Sequence, residues 1–439
     1  MTVAGPSQDV RLPRRVVAGY SLGSLVTGPF GTVPGLLLLP YLTDTLGVTA
    51  GVAGLLVLLP KAWDVLVNPI AGRISDRSGD RRAFLLGAGL ALGVLFAAIF
   101  AGPFATGAAA GAYVAVAFLA AATAFAFFQV PFVAMPAEIT SGYAERTRLM
   151  TWRVAVLALA ILASGALAPL VVDLGGGGLT GHRWSGAFVG ALIVVGTLGV
   201  FAGTRTAPSR SPAEQEPSLR AQLRIAAANR SFRVLLLCYI VQAAGIGTML
   251  AGVQYFADHI IDQDAGATFL FAAFVGPALL VMPVWSRVGA RHGKLRGLIA
   301  ASLLFAAGAL ALLLSPALPA VPIYLIVALV GCGYAGQQVF SLAMLPDLIE
   351  QDTVRTGRRQ AGVFTGLWTA GETLGLALGP GIYALILQLF GYVSSSTGEA
   401  AAQDSTARLG VLLGFTLVPA LLVGAAVTLL RRFSPPDAA

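Results

Sequence analysis

Gly72-Arg-Ile-Ser-Asp76-Arg77-Ser-Gly79-Asp-Arg81-Arg82 crowds six charges into residues 72–82, between apolar runs near 49–72 and 83–103. A run of about 20 apolar residues is what a helix needs to cross a hydrocarbon core of about 30 Å. A basic, glycine-bearing turn between two such runs reads as a tight loop at a membrane surface. Asp76 can cap a helix end there and pair with an arginine, forming a latch that must break if the flanking helices move apart.

The same alternation fills the chain on both sides. Spans are expected near 16–42, 49–72, 83–103, 109–136, 150–174 and 185–203, then near 232–257, 267–289, 297–316, 320–346, 361–392 and 409–430. Hydrophobic residues make up 57% of the 439 positions and charged residues 11%, against roughly 25% charged in a soluble domain. A water-soluble globule could not hide so much apolar surface. The expected fold is an all-α integral membrane protein of twelve transmembrane helices in two pseudo-symmetric six-helix bundles. The bundles are 1–203 and 231–439, joined by a linker at 204–230 that holds three prolines. They also echo each other: Arg287-Val-Gly289-Ala-Arg291-His-Gly293-Lys294-Leu-Arg296 follows the eighth span as the first turn follows the second. A parallel repeat predicts this. The first run, Val16 to Leu42, is too long for a signal-peptide core and is expected to stay as a helix.

Charge sets the orientation. Of 28 lysines and arginines, 25 fall in the termini and loops on one side; Arg183 and Arg408 fall on the other, and Lys61 lies within a span. The positive-inside rule then puts both termini and the linker in the cytoplasm, in the inner (cytoplasmic) membrane. The net charge of +8 is thus a topology signal, and nucleic-acid binding is not expected. Cys238 and Cys332 sit in apolar runs and read as packing thiols. Gly331-Cys-Gly333-Tyr-Ala-Gly336 has dinucleotide-loop spacing but lies inside a span with no strand before it. His182, His259 and His292 form no cluster. No catalytic residues, metal or cofactor are expected, and the chain is not read as an enzyme.

Ionisable groups inside spans are costly and are functional candidates by default. Lys61, Asp64 and Asn68, spaced three and four apart, share one stripe of the second span. Lys61 lies about 18 Å deep at about 1.5 Å per residue. Glu372, in span eleven, is about as deep and has no local lysine, so it must be protonated, hydrated or paired with another helix. Gln129, Gln242, Gln254, Gln337 and Gln338 add neutral polar groups to spans four, seven and ten, lining a cavity or bonding across helices.

The Gly-x-x-x-Asp-Arg-x-Gly turn resembles the loop signature of the major facilitator superfamily. Within it, the chain resembles the glycoside–pentoside–hexuronide:cation symporters, the melibiose-permease type. Four stretches carry the likeness: Gly19-Tyr20-Ser-Leu-Gly23 with Tyr41-Leu-Thr43-Asp44-Thr-Leu-Gly47; Trp63-Asp64-Val-Leu-Val-Asn68-Pro69-Ile-Ala-Gly72; Pro131-Phe132 through Glu138 to Glu145-Arg146-Thr147 and Arg153; and Asp347-Leu-Ile-Glu350 with Gly357-Arg358-Arg359-Gln360-Ala361-Gly362. The resemblance implies cation binding at the positions of Asp64 and Asn68, and the intramembrane charges Lys61 and Glu372 are read as taking part in the coupling. It implies solute contacts among Tyr20, Gly28, Gln129, Arg153, Trp368 and Thr373, and gating by Gly72, Asp76, Arg77, Arg81, Asp347, Glu350 and Arg359. Several positions depart from the type. Only Asp64 of the cation pair is an acid, and Ala126 stands where a sodium-binding hydroxyl is expected. Gly28 and Gln129 replace the sugar-binding acids, and Thr373 replaces a lysine. The expected function is cation-coupled symport of a sugar or glycoside-like solute by alternating access, with a proton favoured over sodium. The alternatives are an exporter or amphiphile carrier of the same fold, and a non-transporting receptor or scaffold. The expected partners are a small-molecule solute and the lipid bilayer, with the chain acting as a monomer.

Overall fold

The structure is a computed structural model that describes residues 11–77, 81–102, 107–139, 143–207, 224, 229–263, 265–356, 361–395, 401–431 and 433. Twelve helical passes follow one another, here called spans 1 to 12. They are Arg14–Leu22 with Ser24–Val33, Ala50–Arg77, Arg81–Ile99, Ala108–Ile139, Tyr143–Leu174, Gly178–Thr204, Arg230–Phe256, Gly266–His292, Lys294–Ala311, Ala320–Thr356, Ala361–Leu389, and Ser405–Phe415 with Leu417–Leu430. Among the described residues, eleven are long and apolar enough to cross a membrane, and span 2 contributes the shorter apolar run Ala50–Pro60. Hydrocarbon offers the backbone no hydrogen-bond partner, so each crossing must satisfy its own amides, as a helix does.

Several helices outrun their apolar runs. Span 10 continues to Thr356 rather than ending near 346, and span 5 begins at Tyr143 rather than near 150. Hydropathy marks the hydrocarbon slab and not the helix. Asp347, Glu350 and Gln351 extend the helix into water without breaking it. Span 1 is irregular instead: after Val33 it passes through π-helical turns at Pro34–Leu38 and Tyr41–Thr45. Pro34 and Pro40 lack the N–H that would continue the ladder, and the widened turns aim Thr43 and Asp44 into the protein, where both are buried.

The packing repeats. Span 1 lies against spans 5 and 6, span 3 against 4 and 6, and span 2 against 4; likewise span 7 lies against 11 and 12, span 9 against 10 and 12, and span 8 against 10. The first and last six spans meet where span 2 packs on span 11 and span 5 on span 8. Both seams are built on glycine. An added Cβ at Gly54 would lie 2.5 Å from the Ala384 Cβ, and one at Gly165 would enter the Phe271 ring. Close backbone approach replaces the hydrophobic drive that is missing between helices in lipid.

These seams hold the end of the bundle opposite the basic turns, hereafter the far end. Gly54→Val should prise it open, because Ala384 has no flexible tip to yield. In a background without Cys238 and Cys332, a cysteine replacing the buried Val48 should then react several-fold faster with an impermeant maleimide. Unchanged labelling in folded protein would show that the seam does not depend on this contact.

Candidate functional site

Three helices each aim one stripe at a common pocket. Span 7 supplies Tyr239, Gln242, Ala243 and Ile246, span 10 supplies Tyr334, Gln337 and Gln338, and span 11 supplies Glu372 and Leu376. Spacings of three and four put each set on one helical face. The pocket holds about 260 Å³ of empty space, its open mouth included. Gln338 Nε2 donates to the Tyr334 hydroxyl at 3.1 Å and to Glu372 Oε1 at 3.3 Å. Gln242 Nε2 donates to Ser302 Oγ at 2.9 Å. Behind the wall, the Trp368 indole stacks on the Tyr239 ring with centroids 4.2 Å apart.

The rest of this wall is not self-satisfied. Gln242 Oε1, Gln337 Nε2, Trp368 Nε1 and the Tyr239 hydroxyl are buried without a hydrogen-bond partner. The Tyr239 hydroxyl is turned toward the Glu372 carboxyl but makes no hydrogen bond of good geometry with it. Each unpaired buried group costs about 1–3 kcal/mol, and native proteins keep few of them. Three in the wall itself, with a fourth on Trp368 behind it, mark a place built to meet something else. Of the residues expected from sequence, Glu372 and Trp368 come together here; Thr373 follows Glu372 and is half-buried, away from the pocket lining.

Across the seam, Asp64 is buried, 7% exposed, whereas Asn68 is exposed. The expected stripe thus runs from the interior to the surface. The Lys61 side chain lies outside the described residues. Spans 2 and 11 run antiparallel, with the Gly51 N–H donating to Gln388 Oε1 at 3.1 Å and Gly54 facing Ala384 and Gly381. Ala126, at the expected hydroxyl position, is buried in an apolar contact with Val67 and Ala71.

A second cluster joins spans 1, 4 and 5. The Tyr20 hydroxyl donates to the Phe132 carbonyl at 3.2 Å, the two rings stack at 4.7 Å, and the Arg153 guanidinium lies 5.0 Å from the Phe132 ring centroid, a cation–π distance. Gln129 is half-buried. At Gly28, expected from the resemblance as a solute contact, a Cβ would meet the Ala160 Cβ at 3.1 Å, so spans 1 and 5 pack closely there.

A family model described as MFS/sugar transport protein matches residues 19–436. The chain belongs to this family. The putative glycoside/cation symporter YagG of Escherichia coli (strain K12) is 27% identical, the match covering 96% of this chain and 92% of that one. The isoprimeverose transporter of Lactiplantibacillus pentosus is 24% identical over 88% of this chain and 82% of its own. Among solved structures, a bacterial homolog of the human lysosomal transporter Spinster, inward-facing and unoccupied, superposes with a TM-score of 0.70 at 15% identity, covering 98% of each chain. A point mutant of the nucleoside transporter NupG gives 0.64 at 14%, over 94% of this chain and 98% of that one. The expected membership of the glycoside–pentoside–hexuronide:cation symporters is borne out, and the protein is a multi-pass membrane transporter rather than an enzyme.

The transporter's two ends are held differently. At the basic end, Lys294 Nζ contacts both Asp347 oxygens, at 2.8 and 2.6 Å, and the Ala343 carbonyl at 3.1 Å. The second basic turn is thereby tied to span 10. Asp352, which sequence reasoning missed, is buried and accepts from Arg355 at 2.8 Å and from Asn229 Nδ2 at 3.3 Å; Asn229 also caps span 7. Glu145 accepts from Arg148 at 2.7 Å and from the Leu12 N–H at 3.0 Å. Glu350 is exposed. The side chains at Asp76, Arg77, Arg81 and Arg359, and the surroundings of Gly72, lie outside the described residues.

At the far end, hydrogen bonds cross between the first and last six spans. The Thr43 and Tyr255 hydroxyls meet at 2.7 Å, the Tyr392 hydroxyl donates to Asp44 Oδ1 at 2.9 Å, and Ser394 and Ser395 reach the carbonyls of Val48 and Thr43. Tyr392 spends its one proton on Asp44, so His259 Nε2, 3.0 Å from the same hydroxyl, must be the donor to it. His259 is therefore part of a cluster, contrary to the sequence reading. A buried hydrogen bond to a charged group contributes about 1.5–3 kcal/mol. Tyr392→Phe and Asp44→Asn should each lower the melting temperature of the purified transporter, and the double variant should lose less than the sum. Strict additivity would mean that the two groups do not act as a pair.

Proposed function

We propose that the protein is a cation-coupled symporter for a sugar or glycoside-like solute. It lies in the cytoplasmic membrane with both termini inside and works by alternating access between bundles 1–203 and 231–439. The orientation is supported by the 25 of 28 basic residues on one side. The observation that carries the reading is the placement of the polar groups. Spans 2 and 11, which pack on each other near Gly54 and Ala384, each carry one intramembrane carboxyl, Asp64 and Glu372, and Glu372 opens on an underbonded pocket. Relatives named as glycoside/cation symporter and isoprimeverose transporter supply the substrate class.

In this reading the proton binds Asp64. A buried carboxyl differs greatly in cost between its charged and neutral forms, so its protonation biases which face is open. Lys61, one turn away, holds Asp64 ionised between cycles, and Asn68 lines the approach from the surface. A proton is favoured over sodium because one acid and one amide make a poor cage, and Ala126 presents a methyl packed on Val67 and Ala71 rather than an oxygen. Tyr20, Gln129 and Arg153 meet the solute from the first bundle, and Trp368 supports the wall from the second. Gly72, Asp76, Arg77, Arg81, Asp347, Glu350 and Arg359 are the gating groups of the cytoplasmic side in this reading, and the Lys294–Asp347 pair, made while the far end is closed, ties span 9 to span 10 within one bundle.

The test is transport in proteoliposomes under an imposed proton gradient, with a panel of labelled glycosides. Asp64→Asn should abolish accumulation while leaving counterflow partly intact. Asn68→Asp combined with Ala126→Ser should bring a response to sodium. A variant Asp64→Asn that still concentrates solute as the unaltered protein does would move the coupling site elsewhere, with Glu372 next.

A further inference from the structure

Asp44 is a buried acid that the transport cycle described above does not use. Its carboxyl sits at the far end, 8% exposed, and accepts from the Tyr392 hydroxyl at 2.9 Å with Thr43 beside it. Among the described residues no lysine or arginine pairs with it. A carboxylate taken out of water without a cation is costly, so closing the far end over Asp44 calls for a positive charge or a proton.

The structure offers a path for a proton. His259, half-buried just past span 7, donates from Nε2 to the Tyr392 oxygen at 3.0 Å. Imidazole, phenol and carboxyl thus form one line of hydrogen bonds that crosses between the halves. When His259 Nδ1 takes a proton from water at the far end, Nε2 can pass its own to the Tyr392 oxygen while the Tyr392 proton moves to Asp44 Oδ1. His259 is left neutral as the other tautomer, Tyr392 keeps an O–H, and Asp44 becomes neutral. One proton therefore balances the cluster, on His259 or on Asp44, and it belongs to the cluster as a whole.

The surrounding charges favour its uptake. Asp258 lies near Asp44, Asp262 near His259 and Asp173 of span 5 near Asp258, against Arg408 of span 12 near His259. All four are exposed, so water screens them. The remaining neighbours, Tyr255 and Tyr383, are phenols. With the far end open, Asp44 and His259 are hydrated, and above about pH 6.5 they hold no extra proton. Closing buries the carboxyl and takes one up. Closure is then strongest in acid, levels off below about pH 6.5, where His259 of the open form already carries the proton, and weakens as the pH rises.

We propose that Asp44, Tyr392 and His259 form a second proton site, distinct from Asp64 and loaded from the outer face, through which acid outside holds the far end shut. This proton enters and leaves on one side, so it regulates the carrier without being transported. The inference rests on the alternating-access reading and not on Asp64 as the coupling site.

The experiment places nitroxide labels on cysteines replacing the exposed Leu174, at the end of span 5, and Leu314, just past span 9. The full chain, without Cys238 and Cys332, is held in lipid nanodiscs, and pulsed electron–electron distances give the closed-to-open ratio of the far end. Asp64→Asn is built in, so the proposed coupling proton takes no part. The ratio should fall about 10-fold or more between about pH 6.5 and 8.5, within the tenfold per pH unit that one proton permits. Asp44→Asn should flatten this dependence. His259→Gln still donates to Tyr392 but binds no proton, and should move the midpoint to lower pH. A ratio indifferent to pH, a dependence that survives Asp44→Asn, or an unmoved midpoint in His259→Gln would each overturn the inference. Two distances in any of those cases leave alternating access standing. A single distance at every pH, with no transport in proteoliposomes, removes that reading and the inference together.

Discussion

Hydrocarbon accepts no hydrogen bonds, and that constraint orders the rest of this structure. It makes every crossing a helix and leaves polar side chains only two stable places, the water at either end or the space between helices. Asp64, Glu372, Gln242, Gln337 and Gln338 therefore converge inward without any long-range signal to gather them. The constraint also weakens the usual drive for helices to associate, so the seams rely on contact that only small residues permit. Gly54 against Ala384 and Gly165 against Phe271 bring the two halves close enough for one apolar cluster to run through both.

A scaffold repeated twice has been equipped differently each time. The first six spans carry a cation against aromatic rings, Arg153 on Phe132 beside Tyr20, and the buried acid Asp64. The last six carry amides, tyrosines and an acid, with an indole behind them. On the proposed reading, a solute held between the halves is gripped by unlike surfaces, so a rocking motion changes its contacts on the two sides unequally. The far-end closure suits such motion. Its bonds are few and directional, and they are made by hydroxyls and a carboxyl that water can satisfy when they part.

The number of crossings was legible because hydropathy reports the slab directly. The helix ends were not, since Asp347 to Thr356 look like loop by polarity and are helix by backbone. Glu372 was legible as a lone acid in an apolar run. Tyr239 was not: a tyrosine among leucines carries no mark, although its i,i+3 relation to Gln242 was available. The pocket as a whole escaped sequence reasoning because its three stripes come from spans distant in the chain, and each alone resembles ordinary helix–helix bonding. The same holds for His259 and Tyr392, which are 133 residues apart.

The indole of Trp368 gives the molecule an optical property. The chain has five tryptophans. Trp63, Trp152 and Trp184 lie on the bundle surface, at 42%, 57% and 62% exposed, while Trp285 and Trp368 are buried. A quencher dissolved in the bilayer or the buffer reaches the first three and leaves the inner pair to emit. Of that pair, only Trp368 is stacked on a pocket tyrosine, so the fluorescence that survives quenching is a built-in gauge of pocket occupancy, readable without attaching any dye.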